Sequence, residues 1–131
     1  MVSYDRRDVT LTSGSGGATA TATTTSIVGE LAEIVIENST TAQPDNDWDL
    51  TVYQGTSGGN NYKVLFYDAT VAQTNDAAVT YKPVAVAAKA ADGTASTLTE
   101  LHPVSFGPLT VTGANMGSSK VAVVKLIFKV A

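Results

Sequence analysis

Residues 13–30, SGSGGATATATTTSIVGE, decide the fold class of this chain. From Ala18 to Thr23, alanine and threonine alternate directly after a glycine-rich segment. Successive side chains of a β-strand point to opposite faces, so the alternation places the alanines on one face and the threonines on the other. Threonine is β-branched and favours a pleated surface. The stretch therefore predicts a strand with one small-residue face and one weakly charged hydroxyl face.

The residues before this strand continue the same pattern. Val9 and Leu11 alternate with Thr10 and Thr12, which predicts another strand there. Glycine accepts the positive φ angles of tight turns, so the SGSGG segment fits a turn. We therefore expect a β-hairpin built from these two strands. Residues 1–8 are expected to form a short N-terminal arm outside the domain.

Short strand-like segments separated by Gly, Asn or Asp turns follow along the rest of the chain. Two of them are interrupted, one by Pro83 and one by Gly107-Pro108. Helical turns are conceivable only at 84–92 and 94–102. About eight strands at this spacing predict an all-β, single-domain antiparallel β-sandwich over residues 9–131, of the jelly-roll type. The predicted later strands cover residues 30–38, 48–54, 62–68, 77–88, 103–113 and 120–130.

Composition limits the classes of function. Charged residues make up 15% of the chain and its formal net charge is −4, so the basic stripe of a nucleic-acid-binding protein is missing. The absence of cysteine excludes disulfides, thiolate zinc sites and cysteine nucleophiles. The start MVSYDRRD lacks the apolar region of a signal peptide, and no apolar run is long enough for a membrane span. We expect a soluble protein made in the cytoplasm that binds neither nucleic acid nor membrane.

Asp45, Asp47 and Asp49 in the segment PDNDWD form the sharpest polar cluster. Carboxylates at alternate positions can supply oxygen ligands to calcium, but the glycine and glutamate of an EF-hand loop are not in register. The alternative is a solvated loop before a strand, with Asp45 or Asp47 capping the turn. The loop interpretation is favoured, and we expect neither a metal nor another cofactor.

Trp48 and His102 are the single tryptophan and the single histidine of the chain. Core packing is favoured for Trp48, because large aromatic residues dominate burial in small domains. The alternative is an aromatic platform for a sugar, formed together with Tyr53, Tyr62 and Tyr67. His102 has no serine or cysteine constellation in reach by sequence, so we expect no enzyme activity.

Four segments of the chain, taken in their order, carry a resemblance to a known class of proteins. They are RRDVTLTSGSGGATATATTT at 6–25, IVIEN at 34–38, DWDLTVYQGTSG at 47–58 and FGPLTVTGANMGSSKVAVVKLIFKV at 106–130. This succession resembles small β-sandwich virion proteins of tailed bacteriophages, and among them head decoration, or cement, proteins. The resemblance runs over most of the chain and lies in the kind of segments and their order.

The resemblance implies a structural protein on the outer surface of the capsid. Such a protein binds the major capsid protein, often as a homotrimer, and stabilises the lattice through many copies of one contact. The candidate binding surfaces are the arm with Tyr4, Arg6 and Arg7, an exposed sheet edge, and the loop at 39–47 with Asp45 and Asp47.

Two other classes of function compete with this one. A carbohydrate-binding or adhesive β-sandwich on a phage tail or fibre predicts exposed rings of Trp48 and the tyrosines. A small enzyme on a jelly-roll scaffold predicts polar groups that converge on His102. Fold alone does not decide among the three.

Overall fold

The computed structural model describes residues 3–16, 19–39, 41–56, 58–59, 62–71 and 102–130, and the strand backbone of 79–83. The possible helical turns at 84–92 and 94–102 fall almost entirely outside these residues. Nine strands lie in the described part of the chain. They are β1 (Ser3–Thr12), β2 (Ala20–Thr23), β3 (Ile27–Asn38), β4 (Trp48–Gln54), β5 (Lys63–Val71), β6 (Val79–Pro83), β7 (Val104–Gly107), β8 (Leu109–Ala114) and β9 (Val121–Val130).

The strands form two antiparallel sheets, which confirms the β-sandwich. The first sheet has the order β1-β9-β3-β6, with β7 also paired to β3, and the second has the order β2-β8-β4-β5. If β7 is set aside, the first strand pairs with the last, the second with the last but one, and so on inward to the hairpin of β4 and β5. A long hairpin rolled into two sheets in this way is a jelly roll.

The core lies between the sheets and takes alternate residues from each strand. The core-facing residues of β9 from Ala122 to Phe128 are fully buried, while Lys125 and Lys129 lie on the opposite face. Trp48 is also fully buried, which confirms its core interpretation. The fully buried residues of β9 and β4 are Ala122, Val124, Leu126, Phe128, Trp48, Leu50 and Val52.

The alternating segment forms the predicted two-faced strand but not the predicted hairpin. Ala20 is buried and Ala22 packs against the core, whereas Thr21 and Thr23 are exposed. However, β1 pairs with β9 and β2 pairs with β8, so the chain passes from one sheet to the other between them. The hairpin prediction is wrong because a period of two decides which face is buried, not which strand is the neighbour.

The predicted separate N-terminal arm is not found from Ser3 onward, because these residues belong to strand β1. Ser3 lies opposite Val130, and the pairing continues without a break to Thr12 opposite Val121. Residues 3–8 are therefore an edge of the first sheet. Their side chains are mostly exposed, so backbone pairing with β9 keeps them in the sheet and hydrophobic burial contributes little.

The predicted interruption at Gly107-Pro108 separates strands of different sheets. Gly107 ends β7 with a φ of 119°, a region that glycine enters without steric cost, and β8 begins at Leu109. The buried Ser105 hydroxyl lies 3.2 Å from the carbonyl oxygen of Ile27, which it can donate to. This contact holds β7 on β3 and so positions Phe106 opposite Val28.

Candidate functional site

Five of the six exposed large apolar side chains in the described residues lie toward one end of the sandwich. They lie at or near the starts of β1, β3 and β5 and within β7, and the antiparallel registers bring these positions to the same end. Their exposed fractions run from 38% to 65%. This set, named the apolar end, comprises Tyr4, Val28, Tyr62, Val64 and Phe106.

Val28 and Phe106 form the centre of the apolar end. They lie directly opposite each other in the pairing of β3 with β7, and each is 65% exposed. Opposed side chains in an antiparallel pair share one face of the sheet, so the two form a single apolar patch. Aromatic and aliphatic groups of this kind are frequent anchors of protein interfaces.

The edge of β7 beside this patch is blocked by side chains of the second sheet. The backbone N–H of Phe106 donates to Oε1 of Gln54 at 2.7 Å. Nζ of Lys63 donates to the carbonyl oxygen of Val104 at 2.9 Å. Because these groups are occupied, a partner meets the side chains of the apolar end rather than a free strand edge.

The candidate residues Arg6 and Arg7 bind acids of their own strand. Nε of Arg6 lies 3.0 Å from Oδ1 of Asp8, and Nη1 of Arg7 lies 2.9 Å from Oδ2 of Asp5. The backbone of Arg6 is covered as well, because its N–H donates to Asp5 at 2.8 Å and its carbonyl accepts from Arg7 at 3.1 Å. The side chains of Asp5 and Arg7 thus block the edge of β1 at Arg6. The role of Arg6 and Arg7 as a partner-binding surface stays a prediction.

These contacts lower the pKa of the Asp5 carboxyl below its ordinary value. The hydrogen bond from the backbone N–H of Arg6 is the largest cause, and the hydrogen bond from the Arg7 side chain comes next. Since the pKa is depressed in the folded protein, the stabilisation is present at neutral pH. It is lost as the pH falls through that depressed pKa.

The candidate residues Asp45 and Asp47 lie at the opposite end, in the loop before β4. The N–H of Asp45 donates to the carbonyl oxygen of Met116 at 2.8 Å, and its carboxylate lies 3.9 Å from Nζ of Lys120. Asp47 is exposed and has a φ of 61°, a turn conformation. The longest strands between the two ends have 10 to 12 residues, a length of about 30 Å or more, so Asp45 and Asp47 do not share a surface with Tyr4.

The third acid of the cluster has a separate partner. Oδ2 of Asp49 accepts a hydrogen bond from Nδ2 of Asn115 at 2.9 Å. Among the described residues, no group of three or more histidines and acids is placed to hold a metal ion. Asp45 and Asp49 therefore contact the segment before β9, and Asp47 is an exposed loop residue.

His102 lies beside the charged outer face of the first sheet. Its Nε2 is 3.2 Å from Nζ of Lys129, and the ring is half-buried. Lys129 lies opposite Glu30 in the register of β9 with β3. In the described part of the chain, His102 therefore lies next to charged surface residues.

The outer face of the second sheet carries a surface that the sequence suggests only in part. Two rows of outward-facing residues cross the four strands, since opposed residues share a face. None of the eight carries a charge. The rows are Thr23, Thr110, Tyr53 and Val64, and Thr21, Thr112, Thr51 and Tyr67. These eight residues are named the Tyr–Thr face.

Tyr62 extends the Tyr–Thr face beyond β5. Its ring stands at 60° to the ring of Tyr53, with the centroids 5.4 Å apart, which is an edge-to-face contact. The alternative interpretation of an aromatic platform for a sugar grouped these two tyrosines with Tyr67 and Trp48. The structure brings the tyrosines to one side of the sandwich and places Trp48 in the core beneath.

The two sheets differ in the charge of their outer faces. On the first sheet, Nζ of Lys125 donates to Oε1 of Glu37 at 2.8 Å, and Glu30 lies opposite Lys129. The Tyr–Thr face has only hydroxyl, aromatic and aliphatic groups. Thr21 and Thr23 could be foreseen from the Ala/Thr alternation, but the rows could not, because they depend on the neighbours of β2 and β4.

Comparison with known proteins leaves the chain without an assigned family. No family model matches it, and no curated protein matches it. PirA is similar over 95% of this chain and 93% of its own, at 14% identity and a TM-score of 0.44. Chitosan-binding module 1 of a chitosanase/glucanase from Paenibacillus sp. IK-5 is similar over 92% of this chain and 76% of its own, at 8% identity and a TM-score of 0.48.

A viral protein is also among the similar structures. The structure of infectious bursal disease virus Gx strain is similar over 98% of this chain and 41% of its own, at 11% identity and a TM-score of 0.32. None of these proteins shares enough sequence or structure to assign a family or a function. In the part of the chain that the structure describes, no helix has the length and hydropathy that a membrane crossing requires.

Proposed function

We propose that this chain is a structural virion protein that binds the outer surface of a phage capsid and stabilises the lattice. Its partner is the major capsid protein, its own assembly is a homotrimer, and it acts by binding rather than by catalysis. The resemblance in sequence style supports the class of protein. The apolar end, with Val28 and Phe106 side by side and 65% exposed, is the observation that supports docking.

The contacts around the apolar end favour docking through side chains. The edge of β7 is occupied by Gln54 and Lys63, so addition of a strand there would first break two hydrogen bonds. Exposed apolar groups gain free energy when a partner removes them from water. A protein that binds only the assembled lattice stabilises it by the binding free energy at each site, and many copies multiply that effect.

Immunogold electron microscopy tests where the protein lies in the particle. An antibody to this chain is applied to particles from the source culture, and gold over the capsid facets is expected. Gold confined to a tail tip or a fibre would contradict capsid decoration. Removal of the protein from labelled particles is then expected to lower their resistance to heat and osmotic shock.

Rebinding to stripped capsids tests the docking surface. Phe106→Ser is expected to bind about tenfold or more weakly than the wild type, as loss of a central apolar anchor does in other interfaces. Tyr67→Ser is the matched control, because Tyr67 is 61% exposed but lies outside the apolar end. Equal binding by Phe106→Ser and wild type would remove the apolar end from the proposal.

A further inference from the structure

The absence of charge on the Tyr–Thr face limits what can bind there. Its eight residues carry no charge, and the next outward residue of β4 is Asp49, an acid that accepts a hydrogen bond from Asn115. A negatively charged partner would lose its hydration on this surface without gaining an opposite charge. An uncharged partner meets no such cost.

The second row of the Tyr–Thr face combines one exposed ring with a line of hydroxyl groups. Tyr67 is 61% exposed and lies opposite Thr51, followed by Thr112 and Thr21 on the next two strands. Neighbouring strands are about 4.8 Å apart, so the row is about 14 Å long. It offers an apolar ring face at one end and groups that both donate and accept hydrogen bonds along the rest.

These groups match the two kinds of surface that a sugar ring presents. A neutral pyranose has a C–H face that packs on an aromatic ring and hydroxyl groups around its rim that need polar partners. Binding sites for small molecules commonly pair aromatic side chains with a few placed polar groups. Aromatic stacking would supply the contact area, and the threonine hydroxyls would select the orientation.

The backbone under the face is already ordered before a ligand arrives. Thr51 and Thr112 lie on β4 and β8, the two central strands of the sheet, each of which is paired on both sides. The χ1 angle of threonine is restricted by its β-branch. Little conformational entropy is therefore lost when a ligand binds to these hydroxyls.

We propose that the Tyr–Thr face binds an uncharged saccharide, with Tyr67 stacking on a sugar ring and Thr51 and Thr112 bonding to its hydroxyls. This activity goes beyond capsid binding and does not depend on it. The two surfaces share Val64, but their central anchors are different residues, Tyr67 here and Phe106 at the apolar end. The two proposals can therefore fail separately.

A glycan array carrying neutral and charged glycans, probed with the full-length labelled chain, gives the first test. Retention of one or more neutral glycans is expected, with charged glycans bound more weakly. The best neutral oligosaccharide is then titrated by calorimetry against wild type and variants. Tyr67→Ala is expected to weaken its binding about tenfold, the upper range for loss of an aromatic contact.

Two further variants separate a sugar site from a general loss of structure. Thr112→Val keeps the β-branch but removes one hydroxyl, and about fivefold weaker binding is expected from one lost hydrogen bond. Phe106→Ala is the matched control and is expected to bind the oligosaccharide as the wild type does. Failure to retain any neutral glycan, preference for charged glycans, or unchanged binding by Tyr67→Ala would each overturn the proposal.

Discussion

At the scale of single residues, Gly117 shows how closely the loops before β9 and β4 are fitted together. It has a φ of 88°, and a Cβ added to it would lie 2.6 Å from Oδ2 of Asp45. Its carbonyl oxygen accepts a hydrogen bond from the Ser13 hydroxyl, which in turn accepts from the N–H of Lys120. This position therefore joins the end of β1, the loop with Asp45 and the start of β9.

Gly117→Ala is expected to destabilise the protein by about 1–3 kcal/mol, because the new methyl group meets Asp45 and alanine disfavours a positive φ. The free energy of unfolding is measured by urea denaturation followed with Trp48 fluorescence. Gly14→Ala is the matched control, since a Cβ there has no atom within 4 Å. Equal stability of the two variants would show that the fit at Gly117 contributes nothing.

Some features at the residue scale could be predicted from the sequence and others could not. The burial of Trp48 follows from its size and from its place in an alternating strand. The contact of Asp45 with Gly117 does not, because it joins loops that are distant in sequence. A local sequence pattern describes one loop at a time, whereas the tertiary fold brings these two distant loops together.

At the scale of elements, side chains cover backbone groups of three edge strands, β1, β5 and β7. Gln54 and Lys63 cover β7, and Asp5 and Arg7 cover the backbone of Arg6 in β1. Within β5, the N–H of Thr70 donates to Oδ1 of Asp68 at 2.9 Å. An uncovered edge can pair with a second molecule, so these contacts oppose association through strand edges.

Removal of both β7 covers is expected to promote self-association. In the double variant Gln54→Ala, Lys63→Ala, the N–H of Phe106 and the carbonyl of Val104 lose their partners. Sedimentation velocity over a range of concentrations is expected to show larger species than for wild type. Gln43→Ala with Lys120→Ala makes the same two changes at the opposite end and is expected to sediment as the wild type. Identical behaviour of both variants would contradict a protective role.

Strand positions could be predicted from the sequence because each strand carries its own alternating pattern. The 48–54 strand has the expected bounds, and the break at Gly107-Pro108 falls where the sequence placed it. The pairing of the first two strands could not be predicted. Each has one apolar face that packs against the opposite sheet whichever strand lies beside it, so the hydrophobic pattern leaves the pairing partner open.

At the scale of the whole molecule, the jelly-roll order pairs the two ends of the chain. β1 runs along β9 for its whole length, and β9 also pairs with β3. The fold class could be predicted from strand number and spacing, and the Tyr–Thr face only in outline. Its rows arise because the rolled order places β8 between β2 and β4.

Removal of residues 1–8 tests whether this pairing of chain ends stabilises the molecule. Residues Ser3–Asp8 lie opposite Lys125–Val130, and each backbone hydrogen bond lost there costs about 0.5–1.5 kcal/mol before the entropy of ordering the strand is deducted. We expect a melting temperature lower by about 4 °C or more, measured by circular dichroism.

The double variant Tyr4→Ser, Arg6→Ser keeps the strand but changes two outward side chains, and its melting temperature is expected to stay close to that of the wild type. A truncated chain that melts with the wild type would mean that this half of β1 contributes no net stability. Residues 3–8 would then behave as the separate arm that their polar sequence suggested.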